Sequence, residues 1–167
     1  LYTSKNMLIQ GQDNVQVNYL LEHQFADYKK WSDEKRVYEV YKYITTNYVY
    51  NDDMKTTDGT ISDFWYTPDY SYSINNNVVI CYDAATITAS LLRSMGIQTK
   101  VAEGTVDNYD TRHAWNYVYL NGEWKLLDTT FDLSYLDSYG TRYYSTATSS
   151  ANMFVKNETI YHPEMEY

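Results

Sequence analysis

The chain carries one cysteine, Cys81, at the start of a helical pattern. Downstream come His113-Ala114-Trp115 and Trp124-Lys125-Leu126-Leu127-Asp128. A thiol, an imidazole and a carboxylate are the parts of a nucleophile, its base and the group that orients the base. A thiol attacks a carbonyl only as thiolate, and a place at a helix N-terminus beside an imidazole favours that form. Exposed N–H groups of the same first turn can face an oxyanion developing on the attacked carbonyl. No other set of residues in the sequence joins a nucleophile, a base and an orienter in so definite a local context.

The last two residues can be placed relative to one another from the hairpin signal Asn121-Gly122. With those two as the loop, Leu120 faces Glu123, Trp115 faces Asp128 and His113 faces Thr130. His113 and Asp128 then share a face as diagonal neighbours, about 7–8 Å apart along the backbone, which an imidazole and a carboxylate can bridge. Asp128 would hold the ring tautomer, leaving the other nitrogen to take the proton from Cys81.

The elements that must position these groups are legible in outline. Val17, Leu20, Leu21 and Phe25 suggest a short helix over Val15 to Phe25. Ser32 reads as an N-cap, followed by Asp33 and Glu34. Val37, Val40, Tyr41, Ile44 and Tyr48 then recur at helical spacing to an end near Asn47 to Asn51. Residues 51 to 77 read as a long excursion, and Phe64, Trp65, Tyr66, Tyr70 and Tyr72 make it an expected wall of a cleft. Cys81 to Met95 forms a helix with Ala84, Ile87, Thr88, Leu91, Leu92 and Met95 on one face and Gly96 just past its end. Strands are expected at Gln98 to Val106, Ala114 to Leu120 and Trp124 to Thr130, with a final strand near Met153 to Val155. Helices first and an antiparallel sheet after them is an α+β layout.

At 167 residues, 44% hydrophobic and 21% charged, the chain fits one domain with a core of its own. Its expected extent is residues 1–167, with a core of about 32–132, cut from a longer protein. No apolar run reaches the ~20 residues of a membrane-spanning helix. A net charge of −9 argues against a nucleic-acid partner, because phosphate binding relies on clustered Lys and Arg. Twenty-one tyrosines with few lysines suggest a bacterial protein that is secreted or at the cell surface. One cysteine excludes an internal disulfide and a thiolate zinc cluster. Asp52, Asp53 and Asp58, and Asp107-Asn108-Tyr109-Asp110, lack the ligand spacing of a calcium loop and read as solvated loops. His23 and His162 have no matching partners, and Asn157-Glu158-Thr159 matches a glycosylation acceptor of no weight in a bacterial chain. No metal or cofactor is expected.

Four blocks, taken in order, resemble the transglutaminase-like superfamily: Glu34 through Asp52, Cys81-Tyr82-Asp83-Ala84-Ala85 with Leu91 through Ile97, His113-Ala114-Trp115-Asn116, and Trp124 through Thr130. The resemblance implies a papain-like core, with a central N-terminal helix that bears the Cys packed on an antiparallel sheet that carries His and Asp. It also implies Cys81 as nucleophile, His113 as base and Asp128 as orienter. Val79 and Ala84 depart from the glycine and aromatic that the family commonly has around its cysteine. The second oxyanion donor has no unique match, so Asn75, Asn76, Asn77, Trp65, Tyr66 and Tyr70 all stand as candidates, some of them also as groove residues.

The leading expectation is a thiol-dependent acyl-transfer enzyme acting on peptide or carboxamide bonds through a Cys81 thioester. Cysteine peptidase, amidase and transglutaminase all share this constellation. Its expected partner is a protein or peptide substrate associated with the cell wall. The alternative is a noncatalytic module of the same fold that binds peptide or cell-wall glycan through its tyrosine-rich surface.

Overall fold

The computed structural model describes residues 9, 11–51, 70–136, 142–143 and 150–167. Three helices form as the apolar spacing dictates. The first, α1 (Val15–His23), is capped by Asn14, whose side chain accepts from the N–H groups of Gln16 and Val17, and it buries Val17, Leu20 and Leu21. In α2 (Asp33–Asn47), Ser32 Oγ accepts from the Lys35 N–H at 3.3 Å, and Val37, Val40, Tyr41 and Ile44 form the buried stripe. The expected segment 51 to 77 is not all loop. Just before it lies β1 (Val49–Tyr50), within it forms α3 (Tyr70–Asn76), and just after it comes β2 (Val78–Val79). The polar residues of α3 hid it, while Trp65 and Tyr66 lie outside the described residues.

The central helix, α4 (Cys81–Ser94), buries all but one residue from Cys81 to Arg93, the exception being Tyr82. Its large residues Ile87, Leu91 and Leu92 pack with Val37, Val40, Tyr41 and Ile44 of α2. Small residues fill its opposite side: Ala85 and Ala89 meet Val101 and Ala114, allowing the sheet to approach closely. Asn116 stitches this contact, its Nδ2 donating to the carbonyls of Ala85 (2.9 Å) and Lys100 (3.1 Å). Met95 caps the helix and Gly96 follows at φ +89°, a left-handed position that favours glycine.

The main sheet comprises β3 (Thr99–Val106), β4 (Tyr109–Leu120) and β5 (Glu123–Leu127), with an edge strand at the end of the chain. Asn121 and Gly122 both have positive φ, 54° and 87°, as a two-residue turn of type I′ demands. Leu120 pairs with Glu123 and Asn116 with Leu127, so the expected register holds. The third expected strand stops at Leu127, and Asp128 begins the loop beyond it. Two more short strands follow, β6 (Ser134–Leu136) and β7 (Arg142–Tyr143).

The expected strand at Met153 to Val155 is absent. The edge strand is instead β8 (Tyr161–Glu166), giving the order β5-β4-β3-β8. Pro163 and a polar composition disguise it, yet both are compatible with an edge position, where a missing N–H is tolerated. Gly104 admits it: a Cβ there would lie 2.1 Å from the His162 carbonyl oxygen.

A second sheet, β2-β1-β6-β7, went unread in the sequence because its strands are two or three residues long. It matters for position. The parallel pairs put β1 between β2, which leads directly into Cys81, and β6, which follows the Asp128 loop. The segment before the thiol and the segment after the carboxylate are thus held by one strand.

Candidate active site

The N-terminus of α4 presents Cys81 without a side-chain cap, because Ile80 at the N-cap has no acceptor to offer. Asp83, fully buried in the first turn, reaches back to accept the Ile80 N–H at 3.0 Å. The helix start is thereby fixed while the Cys81 N–H keeps no acceptor within the helix. The thiol is free and 1% exposed.

His113 on β4 and Asp128 past β5 are 2% and 4% exposed, and the imidazole Nε2 donates to Asp128 Oδ2 at 2.7 Å. Two further donors fix the carboxylate. The Thr130 N–H binds Oδ1 at 3.0 Å, and the Tyr161 hydroxyl from β8 binds Oδ2 at 2.9 Å. Burial pulls the His113 pKa down. The charge and hydrogen bond of Asp128, joined by the influence of the neighbouring Cys81, outweigh burial and raise it from 6.5 to about 10. Nδ1 is buried and has no hydrogen bond formed among the described residues. The thiol therefore lies near enough to act on the ring without being bonded to it, a relation common in unliganded catalytic sites. Nδ1 is the nitrogen left to exchange a proton with Cys81.

Aromatic rings surround the imidazole. Phe131 is 4.9 Å away between centroids and tilted by 31°, Tyr109 is 5.4 Å away edge-on, and Trp115 is 6.0 Å away and stacked. Next to Cys81 in sequence, the Tyr82 hydroxyl joins that of Tyr167, which also binds Glu103 Oε1, each at 2.5 Å. Among the described residues no group of three His, Cys, Asp or Glu is placed to hold a metal, and no helix is long and apolar enough to cross a membrane.

The sequence-derived candidates separate into four sets. His113 and Asp128 are bonded, with Cys81 beside them. Tyr70 is drawn into the core, where its hydroxyl meets Ser90 Oγ at 2.6 Å and the Thr86 carbonyl at 3.2 Å. Asn75, Asn76 and Asn77 are exposed at the end of α3 and in the turn after it, Asn77 at φ 55°. Trp65 and Tyr66 lie outside the described residues. Sequence reasoning missed Tyr161 and Phe131. Phe131 sits three residues beyond Asp128, a proximity that could have flagged it. Tyr161 lies 33 residues away on a strand whose pattern gives no signal.

The sequence pattern that defines the Transglutaminase-like superfamily matches residues 23–129. Solved structures with the same fold include a candidate cysteine protease from Cytophaga hutchinsonii, 17% identical with a TM-score of 0.57, covering 90% of this chain and 47% of that one. A TGase is 16% identical with a TM-score of 0.55, covering 77% of this chain and 35% of that one. Calcium-bound LapG from Legionella pneumophila is 16% identical with a TM-score of 0.53, covering 90% of this chain and 71% of that one. The chain thus spans about half the length or less of the first two. No curated protein matches it.

Proposed function

The chain belongs to the transglutaminase-like superfamily, and from that premise we propose that it is a thiol-dependent acyl-transfer enzyme acting on peptide or carboxamide bonds. The observation that carries this reading is the buried His113–Asp128 pair at 2.7 Å beside the thiol at a helix start. Cys81 gives its proton to His113 Nδ1 and then attacks the carbonyl carbon as the thiolate. The Cys81 N–H faces the oxyanion, and Asp128 holds the imidazolium. Collapse leaves a thioester, which water or an amine resolves. Hydrolysis needs no second substrate cleft, which favours a cysteine peptidase or amidase over a crosslinking enzyme, and a protein or peptide as substrate. Secretion or cell-surface display remains part of the proposal, on composition alone.

The second reading is a noncatalytic binding module, favoured by the 1% exposure of Cys81. Turnover separates the two. Native protein and Cys81→Ala are incubated with a mixed peptide-amide library, and cleavage, deamidation and incorporation of a fluorescent primary amine are followed. Activity in the native chain that vanishes in Cys81→Ala supports the enzyme. Equal activity in both, or none in either, supports the module.

A further inference from the structure

Beside the triad's carboxylate lies a cavity of about 290 Å³, close to the lower end of the ~300–1,000 Å³ typical of ligand pockets. Asp128 and Tyr161 line it, and its apolar walls are Phe131, Met153, Phe154 and Val155. Of its two other charged residues, Asp132 and Lys156, one is acidic and one basic, which favours a neutral occupant. Phe131 connects the cavity to the chemistry. It is 52% exposed, although it is large and apolar, and its ring lies 4.9 Å from that of His113.

Proton transfer says what should pass over Phe131. When the tetrahedral adduct collapses, the C–N bond breaks and its electron pair stays on nitrogen. The proton that His113 took from Cys81 moves to that nitrogen, and the acyl group remains as the Cys81 thioester. The leaving nitrogen must therefore come within hydrogen-bond reach of His113. Whatever that nitrogen carries emerges beside the imidazole, where Phe131 is the exposed ring. We propose that the cavity binds a neutral apolar or aromatic side chain on the leaving-group side of the scissile bond, with Phe131 as the specificity-determining contact. This rests on the enzyme reading above and adds to it a substrate class: peptides with a hydrophobic residue directly after the attacked carbonyl.

L-phenylalaninamide mimics the departing residue, and glycinamide carries the same amine and amide without the side chain. Both are titrated into ¹⁵N-labelled native protein and followed by two-dimensional NMR. Phenylalaninamide is expected to shift the amides of residues 131–133 and 153–156 saturably, at least tenfold more tightly than glycinamide. Phe131→Ala should weaken it at least tenfold, and Phe131→Tyr, which keeps the ring, should restore it. Equal affinity for the two amides, shifts confined to other residues, or full affinity in Phe131→Ala would overturn the assignment. The rate of Cys81 alkylation in the same sample keeps the two claims apart. A fast, His113-dependent thiol without phenylalaninamide binding removes the cavity proposal alone. Binding as expected beside a slow, His113-independent thiol removes the enzyme reading and leaves the cavity.

Discussion

Asp128→Asn tests the electrostatic heart of the site. The carboxylate accepts three hydrogen bonds, from His113, Tyr161 and the Thr130 N–H. An amide of the same shape has one accepting oxygen and an NH2 that must face a donor, so at least one donor loses its partner. It also lacks the charge that raises the His113 pKa from 6.5 to about 10 against burial. A shift of that size corresponds to roughly 5 kcal/mol, comparable with the ~3–5 kcal/mol lost when one partner of a buried ion pair is removed. A folded-state pKa above the unfolded one means that the folded state holds the extra proton. The contribution is therefore complete below about pH 6.5 and declines by up to about 1.4 kcal/mol per pH unit as pH rises through 10. Urea denaturation of native and Asp128→Asn protein at several pH values reads this directly. The variant should be about 3–5 kcal/mol less stable at pH 6 and only about 1–2 kcal/mol less stable at pH 9. ¹⁵N-histidine NMR should show the His113 pKa falling to its ordinary value or below. Parallel stability–pH profiles for the two proteins between pH 6.5 and 9, or a loss under about 1 kcal/mol at pH 6, would refute the reasoning.

Three further changes probe the supporting structure. Tyr161→Phe keeps the ring against Trp115 but removes one donor to Asp128. It should cost about 1.5–3 kcal/mol in urea denaturation and slow Cys81 alkylation. Gly104→Ala places a Cβ 2.1 Å from the His162 carbonyl oxygen and must displace β8. A loss of about 1–3 kcal/mol is expected, with faster hydrogen exchange at the amides paired between β3 and β8. Asn116→Ala removes both side-chain hydrogen bonds that tie α4 to β3. It should destabilise by about 2–3 kcal/mol, and a loss under about 0.5 kcal/mol would show that this tie is not needed.

What the sequence disclosed follows from range. Ser32, the Val37–Ile44 stripe, the Asn121-Gly122 turn and Gly96 are local signals, and each produced the expected element. The pairing of His113 with Asp128 was legible because both lie on one hairpin, where a two-residue turn sets which residues share a face. Tyr161 was not legible. Its contact with Asp128 depends on β8 crossing back to β3, and Tyr-His-Pro-Glu-Met-Glu lacks the alternation of a half-buried strand. The sheet that holds the Cys81 and Asp128 segments together was hidden for another reason. Strands of two or three residues carry no period, although β1 pairs in parallel with both β2 and β6.

The central claim is that Cys81 is an activated nucleophile paired with His113. Because the thiol is unique, the rate of iodoacetamide alkylation against pH, in native protein and in His113→Ala, tests it most directly. A fast rate that persists well below pH 8 and falls at least tenfold in the variant is expected. A slow rate that follows an ordinary thiol, with a pKa of about 8.5, and is unchanged without His113 would contradict it.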